Sequence, residues 1–213
     1  MPRKRTVKAR ELRPRLHIFC EGEKTEPNYL QGYIEAHFPG TRLTLIRKTK
    51  KNTPVQLVEE AIAEKKNKKL NPEGDQFWVV YDREAVNKYP HSLHAEAYNN
   101  AKAASIKIAL SNVCFEVWIL LHFQKTVTAY DSYSNLRKHS KLTTHIPGYD
   151  KGAKYSFSAS MIDTARRNAK ALNRRTQEGA NRSWTSPHQW NPYTNVYELL
   201  DAIDEFGSRY IDG

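Results

Sequence analysis

Phe77-Trp78-Val79-Val80-Tyr81 offers no charged or amide side chain to water on either side of a strand. A strand of that kind has to be covered on both faces, which is the situation of a central strand in a parallel sheet packed between helices. The flanking sequence supplies such helices. Leu16 to Cys20 is another short apolar run, closed by the turn signal Glu21-Gly22. Thr25 and Pro27 open a helix on which Tyr29, Leu30, Tyr33, Ile34 and Phe38 recur until Pro39-Gly40 stops it. Arg42 to Arg47 is β-rich, and Asn52-Thr53-Pro54 starts a helix carrying Val55, Val58, Ala61 and Ile62 on one face. A helix from about His91 to Ala104, a strand at Ile106–Leu110 and an apolar helix from Cys114 to Phe123 continue the alternation. The expected fold is α/β: an open, mostly parallel sheet of about four strands flanked by helices.

A chain of 213 residues holds one core domain comfortably. We expect a basic arm at 1–15, the α/β core at 16–128 and a helical C-terminal extension at 129–213 packed on that core. Helical patterns fall at Tyr130–Ser140, Ser160–Arg175 and Asn195–Tyr210, and this half reads as helix and loop alone. The stretch Gln177 to Tyr193 reads as a loop anchored by Trp184 and Trp190.

The formal charge of +11 favours polyanionic partners, but it is unevenly spread. Residues 1–15 hold seven Lys/Arg against Glu11, a net of +6, which leaves +5 for the rest of the chain. The arm is either a solvated tail or a nucleic-acid-binding segment. The longest apolar run, Val117 to Phe123, is far short of the roughly 20 residues a membrane span needs. The N-terminus has no apolar signal region, so a cytoplasmic protein without a membrane partner is expected. Cys20 and Cys114 each sit in apolar sequence, as buried reduced thiols do.

In open α/β sheets, ligands sit outside the carboxyl ends of the strands. Glu21 follows the first strand, and Asp82 with Glu84 follows the central one. If those strands are neighbours, three carboxylates meet at one edge, and an i, i+2 pair leaving a strand projects to one face. Hard oxygen donors of this kind suit Mg²⁺, which keeps several waters and needs few protein ligands. Acids also follow strands as caps and solvated turns, so the spacing leaves that reading open.

Four segments together resemble the RloB-like family: Cys20-Glu21-Gly22-Glu23-Lys24-Thr25-Glu26-Pro27-Asn28-Tyr29; Tyr81-Asp82-Arg83-Glu84; Ser111-Asn112-Val113-Cys114-Phe115-Glu116-Val117-Trp118 through His122-Phe123; and Asn191-Pro192-Tyr193-Thr194-Asn195-Val196-Tyr197. They fall in the family's order over about residues 15–205. The family resembles Toprim domains, whose metal site uses a Glu after strand one and an Asp-x-Asp after a later strand. The resemblance therefore implies a Toprim-like fold, a metal set of Glu21, Asp82 and Glu84, and Mg²⁺ with Mn²⁺ as a substitute. It also implies a nuclease of restriction or anti-phage defence, often encoded beside an ABC-type ATPase. By analogy with related Toprim effectors that cut RNA, the resemblance implies RNA, folded tRNA included, over DNA as the expected substrate. The pair here is Asp-x-Glu, one methylene longer at Glu84, and Val113 stands where the family usually has proline.

Glu116 lies in an otherwise apolar helix, so it needs a partner, a metal or a proton; a catalytic role and a structural salt bridge are both open. Asn112 before that helix reads as an N-cap or turn residue. Glu23 and Lys24 occupy the turn at the mouth of the site, where Lys24 can meet a phosphate. Lys151 and the run Arg166, Arg167, Lys170, Arg174 and Arg175 are candidates for backbone binding, against an ordinary exposed face with Ala165, Ala169 and Leu172 inward. His91, His94 and His122 are proton carriers or satisfied core residues. Tyr149, Tyr155, Trp184 and Trp190 are stacking or packing aromatics. Against the nuclease stands a non-catalytic module that binds nucleic acid or an ATPase. Strand passage lacks an identifiable nucleophile among the 12 tyrosines. The oligomeric state is open.

Overall fold

The computed structural model describes residues 13–41, 44–49, 51 and 53–211. Most of the basic arm, and the expected contributions of Arg42, Leu43 and Asn52, lie outside the described residues. The order is β1 (Leu16–Cys20), α1 (Thr25–His37), β2 (Thr44–Lys48), α2 (Pro54–Lys66), β3 (Gln76–Asp82), α3 (His91–Ala103), β4 (Lys107–Asn112) and α4 (Glu116–Leu121). Then come α5 (Tyr133–His139), α6 (Leu142–His145), α7 (Ala159–Glu178), a 3-10 turn at Pro187–Gln189, β5 (Tyr193–Thr194) and α8 (Val196–Ile211). No described helix is long and apolar enough to cross a membrane.

The sheet runs β2-β1-β3-β4-β5, with all pairs parallel except β4–β5. Strand alternation sends residues to two cores. Leu16, Ile18, Cys20, Trp78 and Val80 join the larger cluster with α1, α4, α7 and α8, whereas Phe19, Phe77, Val79 and Tyr81 join α2 and α3 on the other face. Both cysteines are free and buried, as expected. Local signals act where they were read: the Thr53 hydroxyl accepts from Gln56 N at 3.3 Å, with Pro54 in the first turn of α2.

The C-terminal half is not helix and loop alone. Tyr193–Thr194 is a strand antiparallel to β4, pairing Tyr193 with Asn112 and Thr194 with Ser111. Two residues are too few for a periodic signal, and what holds them is side-chain chemistry. Asn195 donates to Ile108 O (2.9 Å) and accepts from Leu110 N (2.7 Å), continuing the ladder with its amide. On the outer side, Asn173 of α7 accepts from Thr194 N (3.1 Å) and donates to Thr194 O (2.8 Å). Asn112, read as a cap, is instead the last residue of β4 and donates its amide to Trp190 O at 2.7 Å. The loop before β5 is anchored by one tryptophan rather than two: Trp190 packs against the second core, while Trp184 is 44% exposed.

Buried groups that lose a partner cost about 1–3 kcal/mol each. Asn173→Ala strands both main-chain groups of Thr194, and urea unfolding should report a loss of about 2–4 kcal/mol.

Candidate active site

The chain leaves β1 toward β2 on one side and leaves β3 toward β4 on the other, so the loops part above the carboxyl ends of β1 and β3. That parting makes a crevice at the switch point of the sheet. Glu21 is the first residue beyond β1 and Asp82 the last of β3. Glu21 N donates to Val80 O at 2.9 Å, and its Oε2 accepts from Asp82 N at 3.3 Å. The first two acids are therefore neighbours. Alternation along β3 turns Asp82 to the side of Trp78 and Val80, where Glu26 of α1 and Glu116 at the start of α4 also lie.

Glu84 departs from the expected projection. The strand ends at Asp82, and Glu84 has a φ of 57°, a left-handed conformation that removes the i, i+2 relation assumed for an extended chain. Its N–H bonds Val113 O at 2.9 Å, and its carboxylate pairs with Lys88 at 2.8 Å. Glu84 still lines the same cavity of about 370 Å³ as Glu21, Asp82, Glu26, Lys24, Lys88 and Lys151.

Burial and mutual repulsion dominate the electrostatics. Burial pushes the Glu21 carboxyl up to about 7; the Asp82 N–H bond opposes this, and the charges of Glu84 and Glu26 add to it. Glu26, 6% exposed, is pushed up to about 6, first by burial and then by Glu116. Asp82 is raised well above the usual carboxylate range by burial, with Glu26 and Glu116 next. Lys151 opposes them. Its Nζ lies 3.3 Å from Glu116 Oε1 and 4.0 Å from the centre of the Tyr133 ring. Burial works against the ammonium, but Glu116 and Asp82 outweigh it and the pKa is raised. Tyr149 completes the setting by donating to Glu116 Oε1 at 3.0 Å.

Lys151 thus belongs to the acid cavity, far in sequence from the strands it serves. Its loop is fixed by hydrogen bonds from Thr25 to Lys151 O (3.4 Å) and from Asn28 to Gly152 O (3.0 Å). Lys24 lines the mouth and is exposed. The α7 cations are not brought there. Arg166 is held by Asp204 at 2.6 Å and Asp201 at 3.3 Å, Arg167 bonds Thr164, and Lys170 lies over the Tyr197 ring. Arg174 and Arg175 are exposed on the same helix, whose inward face is Ala165, Ala169 and Leu172 as read. His122 bonds the Tyr29 hydroxyl (2.9 Å) and Trp118 O (3.0 Å) in the core, and His94 is fully buried.

Sequence reasoning missed Glu26. Its signal was present: Glu26, Tyr29, Leu30 and Tyr33 fall on one helical stripe, so a carboxylate there faces inward with them. Gly22 belongs to the same arrangement, because a Cβ at that position would run into the Glu26 carboxylate.

The donor set suits a hard divalent ion, being all oxygen, and Asp82 Oδ1 and Glu116 Oε2 are buried with no hydrogen-bond partner. Among the described residues, no three His, Cys, Asp or Glu side chains stand close enough together to hold an ion between them as they are placed. Glu21 and Glu26 bind protons in the native state that the unfolded chain has already released between pH 4.5 and about 7. Stability therefore falls as pH rises through that window. In differential scanning calorimetry, the metal-free protein should lose several degrees of Tm between pH 5 and 8. Asp82→Asn, which removes one buried charge, should have the higher Tm at pH 8.

The family described as RloB-like protein matches residues 16–203. No curated protein and no solved structure matches the chain. The match spans the first strand, both acid-bearing turns, α4 with Glu116, the Lys151 loop and the edge strand, and the chain belongs to the RloB-like protein family.

Proposed function

We propose that this protein is a Mg²⁺-dependent nuclease that cleaves phosphodiester bonds in nucleic acid, RNA in preference to DNA, in prokaryotic anti-phage defence. The observation that carries the reading is the burial of Asp82, Glu26 and Glu116 beside the Lys151 ammonium, with Glu21 next to Asp82, at the switch point of the sheet. Burying repelling carboxylates is unfavourable, and a protein that keeps two carboxylate oxygens unpartnered there gains from a cation. Glu21, Asp82 and Glu84 would hold the ion, with Glu26 and Glu116 beside them. Magnesium, when bound, supplies charge stabilisation at phosphorus and lowers the pKa of water.

The chain's own groups do the rest. Lys151, held in place by Glu116, provides fixed positive charge within the cavity for a phosphate oxygen. Lys24, at the exposed mouth, meets the neighbouring phosphate. Mn²⁺ would substitute for Mg²⁺, and an ABC-type ATPase is the expected partner, on the family resemblance alone.

One observation favours a non-catalytic nucleic-acid-binding or ATPase-docking module: the acids do not converge as a set of three, and Lys151 and Lys88 already pair two of them. A single assay separates the readings. Labelled tRNA, single-stranded RNA, plasmid and single-stranded DNA are incubated with the protein in Mg²⁺, Mn²⁺ or EDTA. The nuclease reading expects cutting with either ion and none in EDTA. Glu21→Gln and Asp82→Asn should lower the rate by at least about 100-fold, in keeping with transition-state electrostatics, while binding persists. Binding without metal-dependent cutting of any substrate would leave the module.

A further inference from the structure

A second cavity, of about 610 Å³, opens above the ends of β3 and β4 and shares Glu84 with the acid cavity. Arg83, 1% exposed, forms part of it. Its guanidinium bonds main-chain oxygens of His188 (3.0 Å) and Tyr89 (2.9 Å), and no Asp or Glu oxygen lies within 4.0 Å of it among the described residues. Arg83 is thus a buried cation held by main-chain oxygens, on a wall that Glu84 and Asp131 also line, and it offers a local positive edge to an electron-rich group. The lining also includes Glu84, Asp131 and Ser132, with amide and aromatic side chains beside them. Asn112 and Asn191 contribute amides; Asn191 Nδ2 donates to Tyr130 O at 2.8 Å, while its Oδ1 is buried without a donor. Trp184 lines the same cavity at 44% exposure.

From this arrangement we infer that the second cavity is a nucleobase subsite, taking one unpaired base of the strand whose neighbouring phosphate lies in the acid cavity. Trp184 supplies a ring for stacking, Asn191 Oδ1 accepts from an exocyclic amino group, and Arg83 faces the electron-rich edge. Glu84 borders both cavities, so a single strand can run from one into the other. A duplex cannot enter without extruding a base, so the site selects unpaired nucleic acid. The placement of the strand rests on the nuclease reading, but the base subsite itself is testable without cleavage.

The test uses the full chain in EDTA and labelled single-stranded hexamers, RNA and DNA, carrying one abasic residue at each position in turn. Fluorescence anisotropy should find one position where removing the base weakens binding about tenfold, the order expected for an aromatic stack plus a buried polar contact. Cytidine there should bind more tightly than uridine, which lacks the amino group. Trp184→Ala should reduce the abasic effect to less than about twofold, with the salt dependence unchanged because phosphate contacts remain. Asn191→Ala should abolish the cytidine preference, and circular dichroism checks that both variants fold. The inference is overturned by absent binding, by equal affinity for all abasic positions, or by a base effect that survives Trp184→Ala. Metal-dependent cutting without a base effect sinks the subsite alone; a base effect without cutting sinks the nuclease and leaves the subsite standing.

Discussion

Carboxylates repel one another more strongly as water is withdrawn from them, and at the switch point of this sheet four of them are partly or wholly withdrawn. Glu116 is fully buried, Asp82 and Glu26 nearly so, and Glu21 carries a carboxyl displaced toward neutral pH. The opposing ammonium, Lys151, touches Glu116 and is itself part-exposed. Hydrophobic packing on both faces of β1 and β3 has to outweigh this unfavourable term. The two apolar clusters, packed on opposite faces of β1 and β3, are what make the cavity tolerable.

Much of the surrounding structure serves to keep those charges where they are. Gly22 leaves room for the Glu26 carboxylate against the turn, and the loop that presents Lys151 is tied to α1 by Thr25 and Asn28. Asp150 N is bonded by the Tyr155 hydroxyl at 2.7 Å, and Asp150 Oδ1 accepts from Gly152 N at 2.9 Å. The lysine's position is thus determined by contacts with a helix more than a hundred residues earlier. α4 is covered on all sides, with Glu116 as the polar exception in an apolar hexamer. Its charge is met by groups from the second half of the chain, Tyr149 and Lys151.

The parts legible in the sequence are those governed by local periodicity. The apolar run at Phe77–Tyr81 marks β3 as a central strand of a parallel sheet, and the turn after each apolar strand puts Glu21 and Asp82 at strand ends, but only the pairing of β1 with β3 brings the two acids side by side. The departures arise where backbone conformation or a distant partner decides. Glu84 was read as extended, and its left-handed φ aims it at Lys88. Lys151 reads in the sequence as a candidate for backbone binding, and its pairing with Glu116, 35 positions earlier, is a tertiary contact that no local pattern signals. β5 has no pattern because its two residues are held by Asn173 and Asn195, whose amides replace the long ladder that a readable strand would need. Arg83 stands in the sequence as a spacer between two acids, yet it is among the largest fully buried side chains of the described residues.

The pairing of Asn173 with Thr194 also bears on what the protein can stick to. In an antiparallel pair, the outward main-chain groups of an edge strand are a template on which a further strand can add. β5 presents one such pair, on Thr194, and both members are already taken by a side chain of α7. Another polypeptide approaching this flank finds a helix surface rather than a row of open donors and acceptors. Strand exchange and fibrillar growth are blocked there by a single asparagine, without the charged or proline-rich border that longer edges use.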